Sequence, residues 1–250
     1  MKKYLIGFLL FITACLSPLE DQTATQTPLA ESTPTETLLP SPIPATATQT
    51  LTPAPTLTPT PIPLYFTEEF NSPDTTPWTS FQTGGESTPT LAIENGLLRF
   101  DLTSSHTWYY AIHNAHQYQD VTITAKFSGP LSGSTGLICR HSESGWLEFN
   151  IASNGTYSVL FGQQLSDGIA NYFPIASDPI EYLTPDLMDY EIGLICQENF
   201  LSLIVNGKLF RKLDVSRFAL TEGKVGISTA SFGEGHSIIT YEWFKVSEPE

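Results

Sequence analysis

The segment Trp146-Leu147-Glu148-Phe149-Asn150-Ile151 alternates two kinds of side chain that could work together. A β-strand sends successive side chains to opposite faces. Leu147, Phe149 and Ile151 then take one face, and Trp146, Glu148 and Asn150 the other. An indole stacks on the apolar face of a pyranose, while a carboxylate and a carboxamide accept its hydroxyl hydrogens. The triplet therefore points to recognition of a sugar. Arg140 and His141 precede this strand and are candidates to join the site; Arg140 with Glu148 also reads as a simple cross-strand ion pair. Tyr157, across the Asn154-Gly155 turn, is a further candidate to face Trp146. Trp108, Tyr109, Tyr110 and His113 form a second aromatic cluster, of which Trp108 and Tyr110 are expected in the core between sheets.

Signals for catalysis are weak. The chain has no Gly-x-Ser-x-Gly elbow, no phosphate loop and no zinc-protease helix. Retaining glycoside hydrolysis needs two carboxylates about 5–5.5 Å apart, and Glu148 has no acidic partner two residues on. His106, His113, His116, His141 and His236 show no metal-ligand spacing with the cysteines. No catalytic residue is assigned.

The elements that must position the triplet are strands. Period-two segments run at Leu97–Leu102, Thr107–Ile112, Gly136–Arg140, Thr156–Phe161, Tyr190–Cys196, Leu201–Val205, Lys208–Leu213, Lys224–Thr229 and Ile239–Val246. Val121–Phe127 alternates most cleanly. Turn signals at Asn95-Gly96, Asn154-Gly155, Asn206-Gly207 and Gly233-Glu234-Gly235 separate several of them. One helical turn is expected within Asp214–Leu220, and nothing longer. About a dozen short antiparallel strands predict an all-β sandwich or jelly roll.

Three regions divide the chain. Residues 1–15 begin Met1-Lys2-Lys3, continue through a short apolar run and end at Cys15, as an export signal does. Residues 16–63 hold 11 of the 19 prolines and 13 threonines, with no glycine and no aromatic residue. Such a stretch buries too little apolar surface to offset the entropy of ordering it, and proline biases it toward an extended tether on the order of 150 Å long. Residues 64–250 form the β-sandwich domain, with 9 Lys+Arg against 22 Asp+Glu, a net charge of −13. That balance argues against nucleic acid and anionic membrane surfaces as partners.

Ile12-Thr13-Ala14-Cys15 resembles a bacterial lipobox. The resemblance implies that Cys15 carries lipid, that membrane contact is through this anchor only, and that the domain faces the extracytoplasmic side of the cell envelope. Cys139 and Cys196 then remain, each closing the tetrapeptide Gly-Leu-Ile-Cys. In an exporting compartment a disulfide is expected of them; two buried thiols are the alternative.

The strand order resembles the concanavalin A-like lectin/glucanase superfamily. The residues that carry the likeness are Glu68-Glu69-Phe70-Asn71-Ser72 with Trp78, Ile93 to Leu98, Gly136 to Arg140, Trp146 to Ile151, Leu203 to Lys208, Gly223 to Ile227 and Tyr241 to Val246. Several strands are also similar to 3-keto-disaccharide hydrolase-like domains. The superfamily implies a jelly-roll sandwich of about a dozen strands. Its glucanase branch carries an E-x-D-x-x-E-like strand, from which Trp146 to Ile151 departs. Carbohydrate-binding sandwiches often hold a structural calcium where the first and last strands meet, and Glu69, Asp74 and Glu242 are the carboxylates available there. Three functions follow: a non-catalytic carbohydrate-binding or adhesion module, a structural or protein-interaction domain without a small ligand, and a keto-glycoside hydrolase-like enzyme.

Overall fold

A computed structural model describes residues 61–129, 133–181, 183, 189–233 and 236–249. The export signal, Cys15 and nearly all of the tether lie outside the described residues. Alternation governs what is seen. Val121–Ser128 buries Val121, Ile123, Ala125 and Phe127, and exposes the polar residues between them more. Gly145–Ala152 buries Leu147, Phe149 and Ile151 in the same core.

Two antiparallel sheets face one another. The first has the spatial order β13 (Lys208–Asp214), β12 (Phe200–Val205), β11 (Asp189–Gln197), β6 (Val121–Ser128), β15 (Ser237–Ser247), β4 (Leu97–Leu102) and β3 (Thr90–Glu94), with β1 (Phe66–Glu68) also paired to β15. The second runs β10 (Ile169–Pro179), β9 (Thr156–Ser166), β8 (Gly145–Ala152), β7 (Gly133–Ser142), β14 (Lys224–Ser231), β5 (Thr107–His113) and β2 (Trp78–Gly84). A 3₁₀ turn, Ser216–Phe218, falls where one helical turn was expected. Asn95-Gly96 and Asn206-Gly207 both hold positive φ at the two central positions of their turns, the geometry that matches the twist of a hairpin. The jelly-roll sandwich read from the sequence is therefore the observed architecture.

Three details differ from expectation. The opening strand is Phe66–Glu68, so Glu69 to Ser72 lie beyond it. Strands β2 and β10 have no counterpart among the expected period-two segments; in β10, Pro174 and two register shifts, at Ile169/Ala170 and Pro174/Ala176, break the period. The parity of β5 is the reverse of that expected. Tyr109 and Ala111 enter the inter-sheet core, while Tyr110 and Ile112 face the other way and Trp108 packs beside them.

Cys139 on β7 and Cys196 on β11 are joined by a disulfide that ties one sheet to the other, with Cα atoms 6.6 Å apart. Both cysteines are fully buried. The second sheet curls strongly. Its two edge strands meet through a bridge between Thr83 of β2 and Gly168, in the turn before β10, and Gly84 donates its backbone N–H to the Gly168 carbonyl at 3.3 Å.

Candidate functional site

The curl gives the second sheet an inner face, and the triplet lies on it. Trp146, Glu148 and Asn150 sit on one row of β8, opposite the core face, as the alternation requires. They form one chain of hydrogen bonds. The Trp146 indole donates to Glu148 Oε2 at 2.8 Å, the Asn150 amide donates to Glu148 Oε1 at 2.7 Å, and Ser228 Oγ donates to Asn150 Oδ1 at 2.7 Å. Glu148 is therefore a buried carboxyl held by neutral donors.

Aromatic side chains wall this row. Trp146 stands edge-on to Tyr110 at 5.3 Å and to Phe81 at 5.5 Å, and Phe81 stacks on Tyr110 at 4.5 Å. Its indole lies over Gly162 of β9, where a Cβ would meet ring atoms at 2.3 Å, so only glycine permits the approach. Tyr172 of β10 stacks on Trp108 at 5.9 Å. Its hydroxyl accepts a hydrogen bond from Tyr110 at 2.8 Å and shares another with Thr83. Trp146 and Tyr110 are consequently almost wholly buried.

The row opens at both ends. At the Trp146 end lies an open hollow of about 440 Å³ lined by His141, Glu143, Trp146, Gln164 and Asp167 among others. At the far end a second hollow of about 570 Å³ is lined by Ser134, Ala152, Thr156, Ser158 and Phe232 among others. His141 is held as a neutral imidazole at pH 7, because burial, aided by the Lys224 charge, lowers its pKa to about 4.

Arg140 and Tyr157 are elsewhere. A bulge in β7 between Cys139 and Ser142 puts Arg140 at φ 54° and turns its side chain off the sheet. The guanidinium instead donates to the carbonyls of Leu220 at 2.8 Å, Glu198 at 2.6 Å and Gln119 at 3.2 Å. Its nearest carboxylate is Asp120 at 3.8 Å, so no ion pair with Glu148 forms. Burial lowers its pKa, and Asp120 opposes that shift. Tyr157 pairs with Ile151 and so shares the core face, edge-on to Phe210 at 5.1 Å with its hydroxyl on Asp178. His113 is buried between Phe66 and Trp78, at 4.5 and 5.0 Å.

The three expected calcium carboxylates each have other partners. Asp74 accepts from the Thr76 backbone N–H at 2.9 Å and its hydroxyl at 3.0 Å. Glu242 pairs with Lys126 at 2.9 Å, and Glu69 accepts from Asn71 at 3.1 Å. Glu69 and Glu242 share a shallow hollow with Trp243, without Asp74. Among the described residues no group of three His, Cys, Asp or Glu side chains is placed to hold a metal ion.

Tyr172, Thr83, Phe81 and Ser228 complete the inner face and went unnoticed in the sequence. Phe81 and Thr83 alternate with Ser80 and Gln82, which is the signal that could have found them. Ser228 falls on the face opposite Val225 and Ile227 in the period-two segment Lys224–Thr229, and Tyr172, on the irregular β10, carries no such signal.

Burial dominates the chemistry of Glu148. It raises the carboxyl pKa above the ordinary 4.5, against the opposing hydrogen bonds from Trp146, Asn150 and Ser228. The folded protein thus favours the neutral acid more than the unfolded chain does. Its contribution to stability is complete below the unfolded value and is lost as pH rises through the raised folded value. Glu148→Gln keeps an acceptor and removes the titration. Denaturant unfolding from pH 4 to 8 should show wild type losing stability relative to Glu148→Gln as pH rises. A difference that stays constant across that range would contradict this account.

No protein family matches the sequence, and no curated protein is similar to it. Solved structures are similar in fold. A Bacillus subtilis protein of unknown function with a galectin-like fold is 12% identical with a TM-score of 0.56, over 73% of this chain and 94% of that one. The catalytic domain of an endo-1,3-β-glucanase (laminarinase) from Thermotoga petrophila is 10% identical, TM-score 0.52, over 74% and 97%. Bacillus licheniformis β-glucanase is 13% identical, TM-score 0.51, over 74% and 98%. At these identities the likeness extends to the fold, and that fold is the concanavalin A-like jelly roll.

Proposed function

We propose that the protein is a lipid-anchored, non-catalytic carbohydrate-binding module of the bacterial cell envelope, with its glycan on the inner face of the curled sheet. The observation that carries this reading is the row Trp146, Glu148 and Asn150, walled by aromatic rings and opening at Trp146 into a polar hollow. Aromatic faces with amide and carboxylate groups at their edge suit a pyranose. Two relatives in fold are β-glucanases, which favours a β-glucan as the first ligand to try. Glu148 has Trp146 and Asn150 as neighbours on its row and no second carboxylate, so the acid pair for glycoside cleavage is missing there. The competing reading, an interaction domain without a small ligand, draws on the burial of that same row.

Calorimetry with soluble β-1,3- and mixed-linkage glucans separates these readings. Weak binding without release of reducing sugar is expected. Gln164 and Asp167 are exposed at the open end, so Gln164→Ala with Asp167→Ala should weaken binding about tenfold while leaving stability unchanged, from the loss of one or two hydrogen bonds. Sugar release abolished by Glu148→Gln would establish an enzyme instead. No binding across a broad glycan panel would favour the interaction domain. Expressed in a bacterial host, wild type should partition into detergent and Cys15→Ser should not; an aqueous wild type would remove the anchor.

A further inference from the structure

The two hollows are ends of one surface. Ser134 and Ile138 on β7, the row from Trp146 to Ala152 on β8, and Ser158 and Gln164 on β9 all point inward by strand parity. Ser134, Ala152 and Ser158 line one hollow, and Trp146 and Gln164 line the other. Between them Glu148 and Asn150 are covered.

The cover comes from across the curl. Tyr172 stacks on Trp108 and stands edge-on to Trp146 at 6.3 Å. Its hydroxyl bonds to Tyr110 and Thr83 reach strands β5 and β2, on the opposite side of the sheet. In backbone terms the closure is the Thr83–Gly168 bridge with one bond of 3.3 Å. None of these links is charge-assisted. Otherwise β10 is an edge strand, paired to β9 alone, broken by two register shifts and by Pro174. Ile169 and Phe173 on it are exposed, whereas Ile175 and Ala176 pack against the core, so the half of the strand next to Gly168 is the less firmly held and the far half is the natural hinge.

We propose that β10 is a hinged roof over a closed saccharide cleft, with Tyr172 as its latch. The inference rests on the carbohydrate reading above and assigns how that site is reached. Lifting β10 joins the two hollows into one groove. It frees the faces of Trp108 and Trp146 for stacking and presents Glu148, Asn150 and Ser228 to sugar hydroxyls. A ligand that needs the open form binds with its affinity reduced by the fraction of molecules that are open. Weakening the latch therefore strengthens binding, which is the reverse of what loss of a direct ligand contact does.

Two variants of the full chain test this. Tyr172→Phe removes the latch hydroxyl and keeps the ring. Amide hydrogen exchange across residues 169–179 should quicken about five- to tenfold, and β-1,3-glucan should bind several-fold more tightly. Thr83→Cys with Gly168→Cys places cysteines at the bridge and, once oxidised, fixes the roof shut. That protein should lose glucan binding when oxidised and bind when the new bridge is reduced, while Thr83→Cys alone, which lacks the hydroxyl bonded to Tyr172, should bind at least as tightly as wild type. Unchanged exchange in Tyr172→Phe, or undiminished binding by the cross-linked protein, would overturn the roof. If Tyr172→Phe opens as expected and no variant binds any glycan, the saccharide assignment fails and the hinge stands.

Discussion

Trp146→Ala should destabilise the domain by about 3–5 kcal/mol, the cost of truncating a fully packed aromatic. The indole is 1% exposed, lies against Gly162 and meets Tyr110 and Phe81 edge-on. Removing it leaves a cavity and also takes one donor from Glu148, whose buried carboxyl then keeps Asn150 as its partner on that row. Urea unfolding of wild type and variant measures the loss directly. A cost under about 1 kcal/mol would mean that the indole is not packed in solution, which a roof standing open would explain. Lost glycan binding in Trp146→Ala would therefore report lost packing as much as a lost contact. Variants at exposed Gln164 and Asp167 are better probes of the ligand.

The same residue marks how far the sequence could be read. Strict alternation in Trp146 to Ile151 assigned both faces of β8 correctly, because core and inner face there carry different chemistry. Alternation fails in β5. Apart from Trp108, every residue from Thr107 to His113 is buried, so both faces are apolar or aromatic and parity has no signature. Tyr110 consequently fell on the wrong side. Arg140 was lost to a bulge whose left-handed φ no motif in Gly-Leu-Ile-Cys-Arg-His announces. Tyr157 was recoverable, since pairing across the Asn154-Gly155 turn sets it opposite Ile151, a core residue. The closure was not. Thr83 and Tyr172 stand 89 residues apart, and their hydrogen bond follows from the curl of a seven-stranded sheet. Local pattern gave the layers of this protein, and long-range curvature decided which polar residues became enclosed.

Loss of the disulfide is the second large effect expected. Cys139 and Cys196 are 57 residues apart, and closing a loop of that length contributes about 4 kcal/mol in the chain-entropy model. The bridge does not act alone at this junction. Arg140, the next residue, donates to the Glu198 carbonyl just past Cys196 and to the Gln119 and Leu220 carbonyls of neighbouring connections. Cys196→Ala should therefore cost roughly 2–5 kcal/mol and leave the two sheets still joined by packing and by these bonds. Because a bridge needs both sulfurs, Cys139→Ala should cost a similar amount, and the double variant little more than either single one. Chemical unfolding of the three variants beside wild type, with non-reducing mass mapping of the native protein, checks each step. Additive losses, or two thiols in native protein that alkylate freely, would remove the covalent tie and leave the Arg140 bonds as the polar link across this end of the sandwich.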